Sequence, residues 1–185
     1  MKVKGTAVRV MPDFVKKKYP AFYDTWLSGL KSESKKIFEN PIFATEWYEL
    51  VLTHSHPTRV LADIVGKPAE DLAYEIGLFS AEEALTGVYN IFLKIAKLKF
   101  TLKRIPDFFR AYYEPFVFEF LQTGERFVKF KFGYTNSEEN LLYYRNKGWA
   151  TKLIEMTGQG ENPEVNLDIQ KYKDDLYFAV FAVKW

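Results

Sequence analysis

The sequence predicts an α+β domain, with a helical layer over residues 1–114 and a ββαββ antiparallel sheet carrying one helix over 115–185. Three observations point there. Up to about Tyr113 apolar residues recur every three or four positions, the period of a helix face. After Pro115 the period changes to two. A single helical stretch, residues 136–157, then separates two alternating pairs, and both parts are read as one domain of 185 residues.

In the helical part, Val8, Met11, Phe14 (or Val15) and Lys18 keep helical spacing, and Phe22, Trp26 and Leu30 continue it. Pro41 and the capping-type Thr45 introduce a predicted helix with Trp47, Leu50, Val51 and His54 on one face. Pro57 kinks or breaks it, and Val60, Leu61, Ile64 and Val65 carry the stripe on to Gly66. Pro68 suits a first helical residue, with Glu70 and Asp71 placed where the helix dipole favours acids. From there to Lys97 the stripe of Leu72, Ile76, Phe79, Leu85, Val88, Tyr89, Phe92 and Ala96 fits one long helix or two meeting near Ser80, where Ser80 and Glu83 suggest a capping box and a break. Gly77, Ala81, Ala84 and Gly87 form a small-residue stripe that lets a neighbouring helix or a ligand come close. Leu98, Leu102, Ile105, Phe109 and Tyr112 give another helical face, with a kink or restart at Pro106.

In the sheet part, Phe116, Phe118 and Phe120 alternate with Val117, Glu119 and Leu121. A turn at Gln122-Thr123-Gly124-Glu125 leads to Val128, Phe130 and Phe132, which completes a hairpin. Asn136 to Thr157 is predicted helical, with Leu142, Trp149, Leu153 and Met156 on one side and Gly158 and Gly160 at its end. Val165, Leu167 and Ile169 alternate next, and Lys173-Asp174-Asp175 turns into Leu176–Lys184. That last run is apolar on both faces, as a central strand should be.

Short stretches of the chain carry a resemblance. Glu46-Trp47-Tyr48, Glu75-Ile76-Gly77 with Ser80-Ala81-Glu82, Tyr89-Asn90-Ile91-Phe92-Leu93, Arg110-Ala111-Tyr112-Tyr113 and the ending Phe181-Ala182-Val183-Lys184-Trp185 resemble a bacterial paralogous family of unknown function, abundant in myxobacteria. More distantly, helices followed by ββαββ are similar to the superfamily of haem–nitric-oxide-binding (H-NOX) domains, vinyl-reductase-type sensor domains and Bet3-like subunits. That resemblance implies an H-NOX/Bet3-like fold and a tendency to enclose an apolar ligand, haem or an acyl chain between helices and sheet. It does not carry over the propionate-gripping Tyr-x-Ser-x-Arg motif, which this sequence lacks, or the cysteines of the vinyl-reductase type.

Composition narrows the chemistry. The chain has 17 Phe, 12 Tyr and 4 Trp but no Cys and two His, so it is rich in residues that build cores and pockets and poor in common nucleophiles and general bases. Without cysteine there are no disulfides and no thiolate metal sites. A net charge of +2 does not favour nucleic acid as partner, no apolar run reaches the ~20 residues of a membrane span, and no secretory h-region is visible, so the expected location is cytoplasmic. Two basic clusters, Lys2, Lys4, Arg9, Lys16, Lys17 and Lys18, and Lys94, Lys97, Lys99, Lys103 and Arg104, read as solvated faces, with a phosphate-bearing ligand, an acidic partner or a membrane surface as the functional alternatives.

His54 and His56 lie about 200° apart on a helix and cannot share a metal, so no metal site is expected. His54 faces the same side as Trp47, seven positions earlier, and is either a hydrogen-bonded residue at a helix end or, as a weaker reading, a haem ligand. Trp47, His54, Phe79, Tyr89, Phe92, Phe109, Tyr112, Phe116 and Trp149 are the candidate ligand-binding residues, each with core packing as its alternative. Catalytic signatures are missing: Gly158-Gln159-Gly160 has Pro163 where a dinucleotide loop needs a third glycine, and Glu82-Glu83 and Glu138-Glu139 read as first-turn acids. The expectation is a non-enzymatic sensor or carrier that encloses a small apolar or amphiphilic ligand, with a homodimeric interaction module as the alternative. No cofactor is required by that reading, haem being the one group considered.

Overall fold

A computed structural model describes residues 1–85, 105–158 and 163–185. Strand β1 (Lys2–Lys4) leads into α1 (Gly5–Val8) and α2 (Val10–Lys18), and α3 (Tyr23–Gly29) and α4 (Ser32–Phe38) follow. Next come β2 (Trp47–Glu49), a π-helical turn (Val51–Ser55), α5 (His56–Val65) and α6 (Ala69–Ala84). The later part contains α7 (Ile105–Tyr112), β3 (Tyr113–Glu114), β4 (Phe118–Thr123), β5 (Phe127–Thr135), α8 (Leu141–Thr157), β6 (Glu164–Lys173) and β7 (Leu176–Lys184). This is the expected α+β arrangement of helices followed by ββαββ.

The large sheet has the antiparallel order β4-β5-β7-β6, so β7 is central, as its two apolar faces required. Register places Phe120, Phe130, Phe181 and Leu167 in one cross-strand row and Phe118, Phe132, Ala179 and Ile169 in the next. Phe130 stacks on Phe118 at 4.9 Å and on Phe181 at 5.1 Å. Alternation therefore delivers one aromatic face, and Phe132, 1% exposed, joins it edge-on to Phe109 of α7.

Three expectations are corrected. Residues 1–114 are not uniformly helical: β1 pairs with β2 and β3 in a small antiparallel sheet. Val3 points inward between Lys2 and Lys4, an alternation too short to declare itself without its partners. Trp47 consequently sits on a strand, opposite Lys4, whose Nζ stands 4.3 Å from the indole centroid. Nor does a helix break at Ser80. Glu83 pairs with Lys17 at 2.9 Å instead of folding back on Ser80, and α6 runs on to Ala84. The continuation past Leu85, including Tyr89, Phe92, Leu98, Leu102 and the basic cluster Lys94–Arg104, lies outside the described residues.

The short 3-10 turn Ser137–Glu139 that leads into α8 is fastened by side chains. Asn136 Oδ1 accepts from the Glu139 amide at 3.0 Å, and the Glu139 carboxylate accepts from the Asn136 amide at 3.2 Å, a reciprocal cap. The same carboxylate, buried, pairs with the amino group of Met1 and so ties β1 to the start of α8.

Helices α6 and α8 pack backbone to backbone. A Cβ on Gly77 would stand 2.0 Å from the Arg145 carbonyl oxygen, and one on Gly148 would stand 2.1 Å from that of Tyr74. The small-residue stripe of α6 thus receives a helix, and Gly148 answers it from the other side. No described helix is long and apolar enough to cross a membrane.

Candidate functional site

Where α8 leaves the close contact with α6, a cleft of about 280 Å³ opens among α1, α2, α6, α7 and α8. Phe109 and Tyr112 of α7, Tyr113 of β3 and Trp149 of α8 form its aromatic wall. Phe109 anchors that wall, edge-on to Trp149 at 5.9 Å and stacked with Tyr113 at 5.9 Å. Ser80, Glu83 and Ala84 of α6, together with Arg9 and Asp13, also border it. Arg9 is held at the rim by the Ile42 carbonyl, which accepts from its Nε at 2.8 Å.

The cleft also contains two polar side chains that a filled core would not keep. Arg145 and Asn146 are each 4% exposed and both line it. Arg145 donates through Nη2 to the Ala7 carbonyl at 3.1 Å and takes part in no ion pair among the described residues. Asn146 Nδ2 is buried with no hydrogen-bond partner among the described residues. A buried amide left in that state costs about 1–3 kcal/mol, and an unpaired buried cation costs more. Burial also raises the Tyr113 phenol above its ordinary pKa, with Arg145 partly offsetting the shift, so the phenol stays protonated at neutral pH.

Of the sequence candidates, the structure brings together Phe109, Tyr112 and Trp149. Phe116 lies behind them, stacked on Phe109 at 6.3 Å and on Phe118 at 6.1 Å. Phe79 packs edge-on to Phe14 at 5.5 Å and borders a different, larger hollow of about 440 Å³. Its charged groups, Lys18, Glu75, Glu82, Lys152 and Glu155, are all at least partly exposed, so water satisfies them, and Lys67 beside it bridges Glu75 at 2.7 Å and Tyr19 at 3.0 Å. The smaller cleft is the better candidate because its buried polar groups are not satisfied among the described residues. Trp47 lines neither space, and Tyr89 and Phe92 lie outside the described residues.

His54 is inward, as its register with the apolar stripe indicated, and 1% exposed. His56 points elsewhere, its Nε2 accepting from the Lys31 amide at 2.9 Å. Thr58 Oγ1 stands 3.5 Å from His54 Nδ1 but donates to the His54 carbonyl at 2.7 Å. His54 Nε2 has no partner of bonding geometry. Burial first, then Arg145, hold this imidazole well below the ordinary histidine pKa; the Leu141 backbone opposes them, and Arg59 adds the smallest lowering. Like Trp47, His54 lies outside the cleft lining.

Arg145, Asn146, Tyr113 and Arg9 are not among the ligand-binding residues that the sequence pattern proposes. A signal for two of them was there. Positions 145 and 146 fall on the stripe of Leu142, Trp149 and Leu153, and a polar pair interrupting an apolar helix face marks a buried polar site.

The described residues do not fit a haem. The only histidines in the chain, His54 and His56, are both outside the cleft lining, and cysteine is absent. The phenol of Tyr113 is biased toward its neutral form. Among the described residues no cluster of three or more His, Asp or Glu is placed to hold a metal ion.

The whole chain is nevertheless similar in structure to H-NOX proteins. The Fe(II) unliganded H-NOX protein from K. algicida is 14% identical, with a TM-score of 0.72 over 98% of this chain and 95% of that one. The S. oneidensis H-NOX protein in the Fe(II)NO state is 11% identical, with a TM-score of 0.67 over 98% and 99%. An oxygen-binding H-NOX domain related to soluble guanylate cyclases is 11% identical, with a TM-score of 0.67 over 98% and 94%. At such identities the likeness establishes the fold alone. No protein-family model and no curated protein matches the chain.

Proposed function

We propose that the chain is a single cytoplasmic domain that binds a small, partly apolar molecule in the cleft among α1, α2, α6, α7 and α8, as a sensor or carrier and without catalysis. The observation that carries this reading is the cleft's make-up, an aromatic wall of Phe109, Tyr112 and Trp149 facing the buried Arg145 and Asn146. Such a combination suits a ligand with one apolar body and few polar contacts. The H-NOX-like fold supports it, since an oxygen-binding domain shares that fold. Membership of the bacterial paralogous family rests on the short motifs quoted above. Native mass spectrometry of the purified protein tests the reading. A bound small molecule that is lost in Trp149→Ala supports it; a bare chain whose tryptophan fluorescence responds to no apolar probe overturns it.

A homodimer is the second reading, favoured by the edge strand β4. Phe120 and Leu121 there are 39% and 44% exposed, and a paired edge would cover them. Light scattering coupled to size exclusion decides it, because a monomer at high concentration removes this reading.

A further inference from the structure

We propose that the ligand of this cleft is a monoanion carrying its charge on a carboxylate, gripped by Arg145 and Asn146. The inference rests on the reading that the cleft binds a small molecule, and it names the class.

A guanidinium carries five N–H donors in a planar fork. Arg145 spends a donor on Ala7, lines the cleft, and finds no carboxylate among the described residues. The segment 86–104 contains no Asp or Glu in its sequence, so it brings no counter-charge either. Next to it on the same helix turn, Asn146 presents a buried amide donor without an acceptor. Among the described residues, one cation and one amide donor, both buried in one cleft, lack the same thing: an anionic acceptor. A carboxylate supplies two oxygens in the geometry the fork prefers. A phosphate monoester is disfavoured, because it carries nearly two charges and the rim holds the exposed acids Asp13 and Glu83. Phe109, Tyr112 and Trp149 then take the apolar body.

The test titrates the full chain with octanoate and 4-phenylbutyrate and with their neutral counterparts, 1-octanol and 4-phenylbutanol, following Trp fluorescence and calorimetry. Each acid is expected to bind about ten- to a hundredfold more tightly than its alcohol, the worth of one or two charge-assisted hydrogen bonds. Arg145→Gln is expected to reduce the acid to the alcohol's affinity and to change the alcohol's own affinity by much less. Asn146→Asp, which leaves the Arg145–Ala7 bond in place, should weaken the acid by at least about tenfold and the alcohol by much less. Equal binding of acid and alcohol, or a preference that survives both variants, overturns the carboxylate while the binding cleft stands. If no probe binds the wild-type chain, the cleft reading falls and takes this inference with it.

Discussion

Helix α8 meets the rest of the protein in two opposite ways within one turn. At Gly148 it touches α6 backbone to backbone, close enough that a Cβ would stand 2.1 Å from the Tyr74 carbonyl oxygen. At Arg145 and Asn146 it turns toward the cleft with a buried cation and a buried amide short of partners. Both faces are equally hidden from bulk water, so burial does not distinguish structure from site. Satisfaction does. Where every group has a neighbour the helix is scaffold, and where polar groups wait for one it is a place for something else.

The most damaging way to break this contrast is to fill the packed side. Gly148→Ala drives a methyl into the α6 backbone, which cannot rotate away, and is expected to cost about 3 kcal/mol or more. A chemical denaturation midpoint well below wild type, with an unchanged slope, is the readout. Gly77→Ala, facing the Arg145 carbonyl, should behave alike.

The next effect concerns the polar groups behind the cleft. His54 is held neutral by burial, with Arg145 and Arg59 adding to the effect. Its folded pKa lies well below its unfolded value of 6.5. Between those two values the unfolded chain binds a proton that the folded chain refuses, so stability falls as pH drops below about 6.5, at up to about 1.4 kcal/mol per pH unit, and is flat above it for this group. Guanidinium unfolding from pH 7.5 to 5 should show that slope, and His54→Leu should remove it relative to wild type.

On the cleft side, Asn146→Leu replaces an unpartnered buried amide with an apolar side chain of similar size. The ligand-free protein is expected to gain about 1 kcal/mol in thermal or chemical unfolding, the reverse of the usual core substitution. A loss of that size would mean the amide already has a partner. The smallest effect belongs to the surface: Lys17→Met removes the exposed ion pair with Glu83 at 2.9 Å and should change stability by about 0.5 kcal/mol or less.

Much of the scaffold was legible in the sequence because it is periodic. Phe118, Phe130, Phe132, Phe181 and Leu167 declare their sheet face by alternation, and Trp26, Leu72, Ile76 and Leu153 declare helix faces by spacing. The inward turn of His54 and the outward turn of His56 followed from two residues of helical rotation. Less was legible at the site. Of the seven candidate residues that are described three line the cleft, because an aromatic on an inward face looks the same whether it fills volume or borders a space. The short strand at Trp47 was hidden too, since three residues carry no period and pair only with a distant strand.

By itself the sequence determined the order of the main elements, the aromatic face of the large sheet and the poverty in catalytic side chains, all properties of composition and local repetition. Only the tertiary structure decided that Arg145 and Asn146 share one cleft with Phe109 and Tyr112 while Phe79 borders another. It also decided that Gly77 and Gly148 meet across two helices. Whether a buried polar group has a partner depends on residues far away in the chain, and no local pattern carries that information.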